Sequence, residues 1–202
     1  MTTAIRTDEG LRLPTTAEEL LLMPEGTHGE IVEGVYVPMS GGGGPHGSVI
    51  MRVGFALCGF AYSRNLGEVF GTETTFRLKR GPETTRCPDV AFVRAARIPM
   101  GVPNGVFEGA PDLAVEVLSP SNTDAEIDRK RDDYLRYGAQ QVWIVDPETR
   151  AVAVYAAGAL PRFLEGVDVL DGGDLLPGFS TPIAAFFAGL APARRAGAPA
   201  SA

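Results

Sequence analysis

The stretch of sequence that decides the fold spans residues 111–121 and is PDLAVEVLSPS. Its centre, residues 113–118, is almost continuously apolar, which is typical of a strand in the middle of a sheet. Side chains alternate between the two faces of a strand, so Glu116 shares its face with Ala114 and Leu118. Because both faces are apolar, an unpaired Glu116 carboxylate would cost several kcal/mol. A basic side chain, a proton or a metal ion must compensate it.

The segment that follows this strand supplies a candidate partner for Glu116. Residues 123–137 have the periodicity of an amphipathic helix, and only the short loop of residues 119–122 precedes it. Lys130 and Tyr134 fall on the apolar face of this helix, which we expect to contact the sheet. The Lys130 amine is therefore expected to reach back toward Glu116. An amine that extends to solvent, or an ion pair within the helix, is an equally good interpretation.

Two further carboxylates come at the beginning of predicted strands. Glu30 starts the β-rich run of residues 30–37, and Asp89 follows Pro88 before another apolar run. A surface charge is the simpler interpretation of Glu30 taken alone, and a local hydrogen bond at the strand start explains Asp89 equally well. Together with Glu116, the two acids form a set of hard oxygen ligands of the kind that Mg²⁺ or Mn²⁺ prefers.

Four stretches, taken in order, resemble the Uma-two family of inferred endonucleases, within the PD-(D/E)XK nuclease superfamily. They are GEIVEG (29–34), PDV (88–90), PDLAVEVLSPS (111–121), and the helix from Lys130 to Tyr134 that leads into VWIVDP (142–147). The likeness covers roughly residues 15–190. Its most specific part is the Glu-Val-Leu-Ser-Pro-Ser stretch followed by a Lys-x-x-x-Tyr helix.

The resemblance implies a role for each charged residue. Asp89 resembles the metal-binding aspartate after proline, and Glu116 resembles the second acidic ligand. Leu118 stands where the superfamily usually has its lysine, so Lys130 is implied to fill that role from the next helix. Glu30 resembles the N-terminal acidic residue, which contacts a second metal or its water. The implied cofactor is Mg²⁺ or Mn²⁺, and the implied reaction is hydrolysis of phosphodiester bonds in DNA, with RNA as the second choice.

The charges give mixed evidence for a nucleic-acid partner. The net charge of −7 does not attract a polyphosphate over long range, so contacts must come from local basic patches. Three basic residues that precede Asp89 are candidate substrate contacts, namely Arg77, Lys79 and Arg86. A solvated hairpin tip explains them equally well. His46 is a further candidate contact, although a histidine at a helix start is the simpler interpretation.

Length and composition favour one domain. The predicted parts are a flexible N-terminal arm (1–13), a single α/β domain (14–190) and a disordered tail (191–202). The domain is predicted as a restriction-endonuclease-like mixed β-sheet flanked by helices, with an N-terminal helix and a β-hairpin. Within it, residues 99–110 are predicted as loop and residues 181–190 as a closing helix.

The remaining expectations concern the compartment and the partners. No stretch is long enough to span a bilayer, and the sequence has no signal-peptide pattern, so no membrane partner is expected. The two cysteines fit no metal or disulfide framework, which favours a reducing, cytoplasmic compartment. A homodimer is expected by analogy with related folds. The alternative to a nuclease is a catalytically inactive protein of the same fold that acts as a binding or interaction module.

Overall fold

The structure, a computed structural model, describes residues 5–7, 10–24 and 28–191. The predicted tail lies outside the described residues except for Ala191. Within the predicted arm, the short strands β1 (Ile5–Thr7) and β2 (Gly10–Arg12) pair in antiparallel fashion. Part of this segment therefore has regular structure.

No helix among the described residues is long and apolar enough to cross a lipid bilayer.

Three helices and thirteen further strands make up the rest of the described chain. The helices are α1 (Ala17–Leu21), α2 (Gly44–Tyr62) and α3 (Asp124–Arg136). The strands are β3 (Gly29–Val32), β4 (Val35–Pro38), β5 (Gly67–Phe70), β6 (Phe76–Lys79), β7 (Thr84–Arg86), β8 (Val90–Arg94), β9 (Phe107–Glu108), β10 (Leu113–Val117), β11 (Gln141–Asp146), β12 (Ala151–Ala156), β13 (Arg162–Leu164), β14 (Val169–Gly172) and β15 (Leu176–Pro182).

A six-stranded mixed sheet forms the centre of the protein, with the strand order β13-β12-β11-β10-β8-β5. Strands β10 and β11 are parallel, and every other neighbouring pair in this sheet is antiparallel. Parallel neighbours need a crossover connection, and α3 provides it because it joins the end of β10 to the start of β11. The predicted mixed α/β fold is confirmed.

Helices cover both faces of this sheet. Helix α2 packs on one face through four buried side chains, those of Val49, Val53, Leu57 and Ala61. Helix α3 packs on the other face, beside the small sheet β7-β6-β9, and buries Lys130 and Tyr134. Ala114 and Ile144 belong to the same apolar cluster as Tyr134. Since side chains alternate along β10, Glu116 faces α3 together with Ala114, as the sequence predicts.

Two segments differ from their predictions. The sequence predicts a helix over residues 181–190, but β15 continues to Pro182 and only a 3₁₀ turn, Ile183–Ala185, follows it. Pro182 would also suit the first turn of a helix, so the difference comes from pairing, since β15 pairs with β14 as far as Val169 and Pro182. The predicted loop at residues 99–110 contains β9, which pairs with β6. In both segments, pairing with another strand overrides the local pattern.

The hairpin β3–β4 places the Glu30 side chain in the protein interior. Its turn residues, Glu33 and Gly34, have φ angles of 50° and 77°, which is the geometry of a tight two-residue hairpin. The backbone amide of Ile31 donates to the Thr85 hydroxyl at 2.8 Å, so β3 is fastened to β7. This contact leaves the Glu30 side chain 3% exposed and pointing toward α3.

Replacing Gly29 by alanine is expected to destabilise this hairpin. A Cβ atom at Gly29 would overlap the ring of Tyr36 and lie 2.8 Å from the Val37 carbonyl oxygen, so β3 or β4 must shift. Overpacking of this kind costs about 1–3 kcal/mol, which urea unfolding measures. Gly41→Ala is the control, since no atom lies within 4 Å of its added methyl. Equal stabilities for the two variants would contradict the close packing of Tyr36 on β3.

Candidate functional site

Two side chains of α3 hold the buried carboxylate of Glu116. The Lys130 amine donates to Glu116 Oε2 at 3.2 Å, and the Tyr134 hydroxyl donates to Oε1 at 2.7 Å. Residues four apart lie on the same face of a helix, so one helical turn presents both donors to the same carboxylate. The Glu116 side chain is only 5% exposed. Each of its oxygens therefore depends on a specific donor within the protein.

Asp89 lies beside Glu116 on the neighbouring strand. The antiparallel register pairs Val90 with Val115, and continuing it by one residue places Asp89 opposite Glu116 on the same face of the sheet. Opposite residues of an antiparallel pair have Cβ atoms about 4.5–5.5 Å apart. The backbone amide of Val117 donates to Asp89 Oδ2 at 2.8 Å and fixes that carboxylate. The side chain of Asp89 is 16% exposed, so this acid connects the cluster to solvent.

Glu30 reaches the same cluster from β3. Its Oε1 accepts a hydrogen bond from the Cys87 backbone amide at 3.0 Å and lies 3.3 Å from the Lys130 amine. Its Oε2 accepts a hydrogen bond from Arg86 Nη1 at 2.6 Å. The structure thus brings Glu30, Glu116 and Lys130 together, with the amine between the two carboxylates.

Arg86 extends this network to the surface of α3. Its guanidinium is 3% exposed and donates to Asp133 Oδ2 from Nε at 3.1 Å and from Nη2 at 2.6 Å. The same guanidinium holds Glu30, so a continuous chain of ion pairs leads from Asp133 through Arg86 and Glu30 to Lys130. The sequence predicts Arg86 as a candidate substrate contact, whereas in the structure it is buried as an internal partner of two carboxylates.

The buried groups shift one another's protonation. Burial raises the pKa of Glu116 to about 7; Lys130 opposes this shift, and Asp89 and Glu30 add to it. Burial alone would lower the pKa of Lys130, but Glu116 and Glu30 hold it above its usual value. Burial and the Glu116 charge raise the pKa of Tyr134 well above its usual range. Lys130 therefore stays an ammonium group, and Tyr134 keeps the proton that it donates.

The cluster has more negative than positive charge. Four carboxylates face two permanently charged basic groups: the acids are Glu30, Asp89, Glu116 and Asp133, and the bases are Arg86 and Lys130. Mg²⁺ binds through one or two carboxylates together with water and phosphate oxygens, and the neighbouring Asp89 and Glu116 fit that donor set. Within residues 5–7, 10–24 and 28–191, no group of three His, Cys, Asp or Glu side chains is already arranged around a metal position.

The other candidate substrate contacts have different surroundings. His46, in the first turn of α2, places Nε2 3.5 Å from Asp89 Oδ2, and the nearby Asp89 carboxylate raises the pKa of this imidazole. The Arg77 guanidinium is 2% exposed and forms ion pairs with three acids, Glu18, Glu83 and Glu108. The Lys79 amine lies 2.8 Å from Glu33. His46 thus lies at the acids, whereas Arg77 and Lys79 are paired elsewhere.

Two members of the cluster are not predicted as site residues from the sequence. The hydroxyl of Tyr134 and the carboxylate of Asp133 both face the network from α3. The Lys-x-x-x-Tyr spacing contains a signal for the first, since a residue four positions after a lysine shares its face. Asp133 carries no such signal, because its partner Arg86 is far away in the sequence.

Comparison with known proteins agrees with this architecture. The model of the Uma2 family, described as "Putative restriction endonuclease", matches residues 17–185. A solved structure from Anabaena variabilis, described as "a putative nuclease belonging to DUF820", is similar with a TM-score of 0.75 and 22% sequence identity, over 86% of this chain and 98% of that chain. No curated protein shows a significant match. The family match spans most of the domain, and the chain belongs to the Uma2 family.

Proposed function

We propose that this protein is a divalent-metal-dependent nuclease that hydrolyses phosphodiester bonds, with DNA as the preferred substrate over RNA. One observation carries the proposal: Asp89 and Glu116 stand opposite each other, and the Lys130 ammonium is fixed 3.2 Å from Glu116. Two carboxylates on one face of the sheet, with a cation from α3 beside them, suit a reaction at a phosphate group. The nuclease descriptions of the family and of the structural neighbour support the same reaction class.

In this proposal, Asp89 and Glu116 hold Mg²⁺ or Mn²⁺. When bound, the ion polarises the scissile phosphate and lowers the pKa of an attacking water. The backbone amide of Val117 and the hydroxyl of Tyr134 keep the two carboxylates in place from the protein side. Both contacts come from groups that retain their protons, so the acids are oriented before any ligand arrives.

Lys130 and His46 have separate tasks in this proposal. Lys130 remains charged because two carboxylates raise its pKa, so it serves as a hydrogen-bond donor to the attacking water or to the charge that develops on the phosphate, and not as a base. His46 lies beside the more exposed acid, Asp89, at the solvent side of the cluster. From there it is placed to donate to a phosphate oxygen of the bound strand.

Replacing Asp89 by asparagine tests the proposal. Supercoiled plasmid and single-stranded oligonucleotides are incubated with the protein and Mg²⁺ or Mn²⁺. The wild type is expected to cleave, and Asp89→Asn to cleave at least about 10²-fold more slowly, because one of the two charged ligands is lost. Asp128→Asn is the matched control, since Asp128 lies on the exposed surface of α3. Wild-type cleavage by Asp89→Asn would refute the proposed site.

A non-catalytic binding module is the second candidate function. The observation that favours it is the pairing of Arg77 and Lys79 with carboxylates, which leaves fewer free cations for a nucleic-acid backbone. Such a module would show no stabilisation by Mn²⁺ in thermal unfolding, whereas the nuclease is expected to be stabilised.

The homodimer expected from related folds stays a prediction, which sedimentation velocity tests.

A further inference from the structure

Glu30 differs from the other acids of the site in how its charge is balanced. Both of its oxygens accept hydrogen bonds, Oε1 from the Cys87 amide and Oε2 from Arg86. The Lys130 amine lies 3.3 Å from Oε1. One carboxylate is therefore contacted by a guanidinium, a backbone amide and an ammonium group, and its side chain is only 3% exposed.

Asp89 and Glu116 are balanced less completely. Asp89 Oδ2 accepts a hydrogen bond from a backbone amide and lies 3.5 Å from His46 Nε2. Within the described part of the chain, Asp89 has no permanently charged partner. Glu116 shares its single cation, Lys130, with Glu30. A cation that enters from solvent therefore meets uncompensated negative charge at Asp89, partly compensated charge at Glu116 and the most fully compensated charge at Glu30.

Arg86 keeps the charge of Glu30 compensated at every pH at which the protein is folded. An arginine keeps its charge at every pH at which the protein is folded, and burial here is outweighed by Glu30 and Asp133, which raise its pKa further. A metal ion that took Glu30 as a ligand through Oε1 would have to displace the Lys130 amine and the Cys87 amide. Through Oε2 it would have to displace a guanidinium 2.6 Å away. That movement would leave a buried guanidinium with Asp133 as its remaining partner.

We propose that Glu30 is a positioning residue: it holds the Lys130 amine against Glu116, and it does not coordinate the metal. The inference rests on the proposed function, since it concerns the metal site at Asp89 and Glu116. It departs from the role in binding a second metal or its water that the resemblance implies for Glu30. The amine, held between carboxylates at 3.2 and 3.3 Å, has its direction fixed by two contacts, and with Glu116 alone it would rotate more freely.

A matched pair of variants isolates this role. Glu30→Gln and Asp133→Asn each remove one carboxylate charge from Arg86, but only Glu30 contacts Lys130. The metal-free readout is the ¹⁵Nζ NMR signal of Lys130 in lysine-labelled protein, assigned with Lys130→Met. We expect a sharp, slowly exchanging signal in the wild type and in Asp133→Asn, and its loss in Glu30→Gln. An unchanged signal in Glu30→Gln would overturn the inference.

Manganese binding gives the second readout. Anomalous diffraction from wild-type crystals soaked in Mn²⁺ is expected to place the ion on Asp89 and Glu116, with Glu30 still on Arg86. The dissociation constant of Glu30→Gln is expected to lie within about threefold of that of Asp133→Asn, since both lose one nearby charge. Mn²⁺ within about 2.0–2.6 Å of a Glu30 oxygen would overturn the inference. If Mn²⁺ avoids Asp89 and Glu116 altogether, the proposed function fails, and the Lys130 signal still decides the role of Glu30.

Discussion

Replacing Lys130 by methionine is expected to remove phosphodiester cleavage and to destabilise the fold. The amine lies between Glu116 and Glu30, so its loss leaves two buried carboxylates with one cation fewer. Removing one partner of a buried ion pair costs about 3–5 kcal/mol in free energy of unfolding. Loss of a hydrogen-bond donor to the charge that develops in the reaction slows it by about 10²–10³-fold. Urea unfolding measures the first effect, and the rate of plasmid nicking with Mn²⁺ measures the second.

Lys79→Met is the matched control for this substitution. Lys79 also pairs with a glutamate, but Glu33 is 57% exposed and the pair lies at the surface. Exposed ion pairs contribute about 0–1 kcal/mol, so this variant is expected to keep both its stability and its cleavage rate. If Lys130→Met unfolds at the same urea concentration as Lys79→Met, the amine is not needed to compensate the buried acids. The electrostatic account of the cluster would then be wrong.

The central part of the fold is predictable because its signals are local and strong. The apolar runs at residues 113–118 and 142–147 predict β10 and β11, and the periodic segment between them predicts α3. Short polar strands are harder to predict from the sequence, because they form only by pairing with strands elsewhere in the chain. Strand β7 contains only threonines and an arginine, yet all three residues are buried once β3 and β6 pack against it. No local pattern indicates that burial.

The site residues also divide into those with a local sequence signal and those placed by contacts between distant segments. Alternation along β10 predicts that Glu116 points into packed surroundings, and the apolar face of α3 predicts that Lys130 faces it; the structure shows this contact. The inward position of Arg86 follows from the pairing of β7, which the sequence alone does not reveal. For the same reason Asp133 is indistinguishable from the other charges on the surface of α3. A pairwise contact between distant segments has no local signature.

Raising the pH from about 5 to about 8 is expected to stabilise Glu116→Gln relative to the wild type when no divalent metal is present. Burial, with added effects of Asp89 and Glu30, raises the pKa of Glu116 from 4.5 to about 7. Between these values the folded protein retains a proton that the unfolded chain has released, so wild-type stability falls as the pH rises through this window. The shift corresponds to about 3 kcal/mol. Glutamine has no proton to lose, so the variant lacks this decrease.

Urea unfolding of both proteins across this pH range measures the difference in stability. Only the change of this difference with pH matters, because contacts that do not depend on the ionisation of Glu116 add a constant offset. Glu33→Gln, at an exposed surface pair, is the control. A difference that stays constant with pH would show that ionised Glu116 costs the folded protein nothing. Mn²⁺ is expected to restore wild-type stability at about pH 8 and to leave Glu116→Gln nearly unchanged. The pH dependence without metal therefore measures the free energy that ionised Glu116 costs the folded protein, which is the cost that a bound cation would offset.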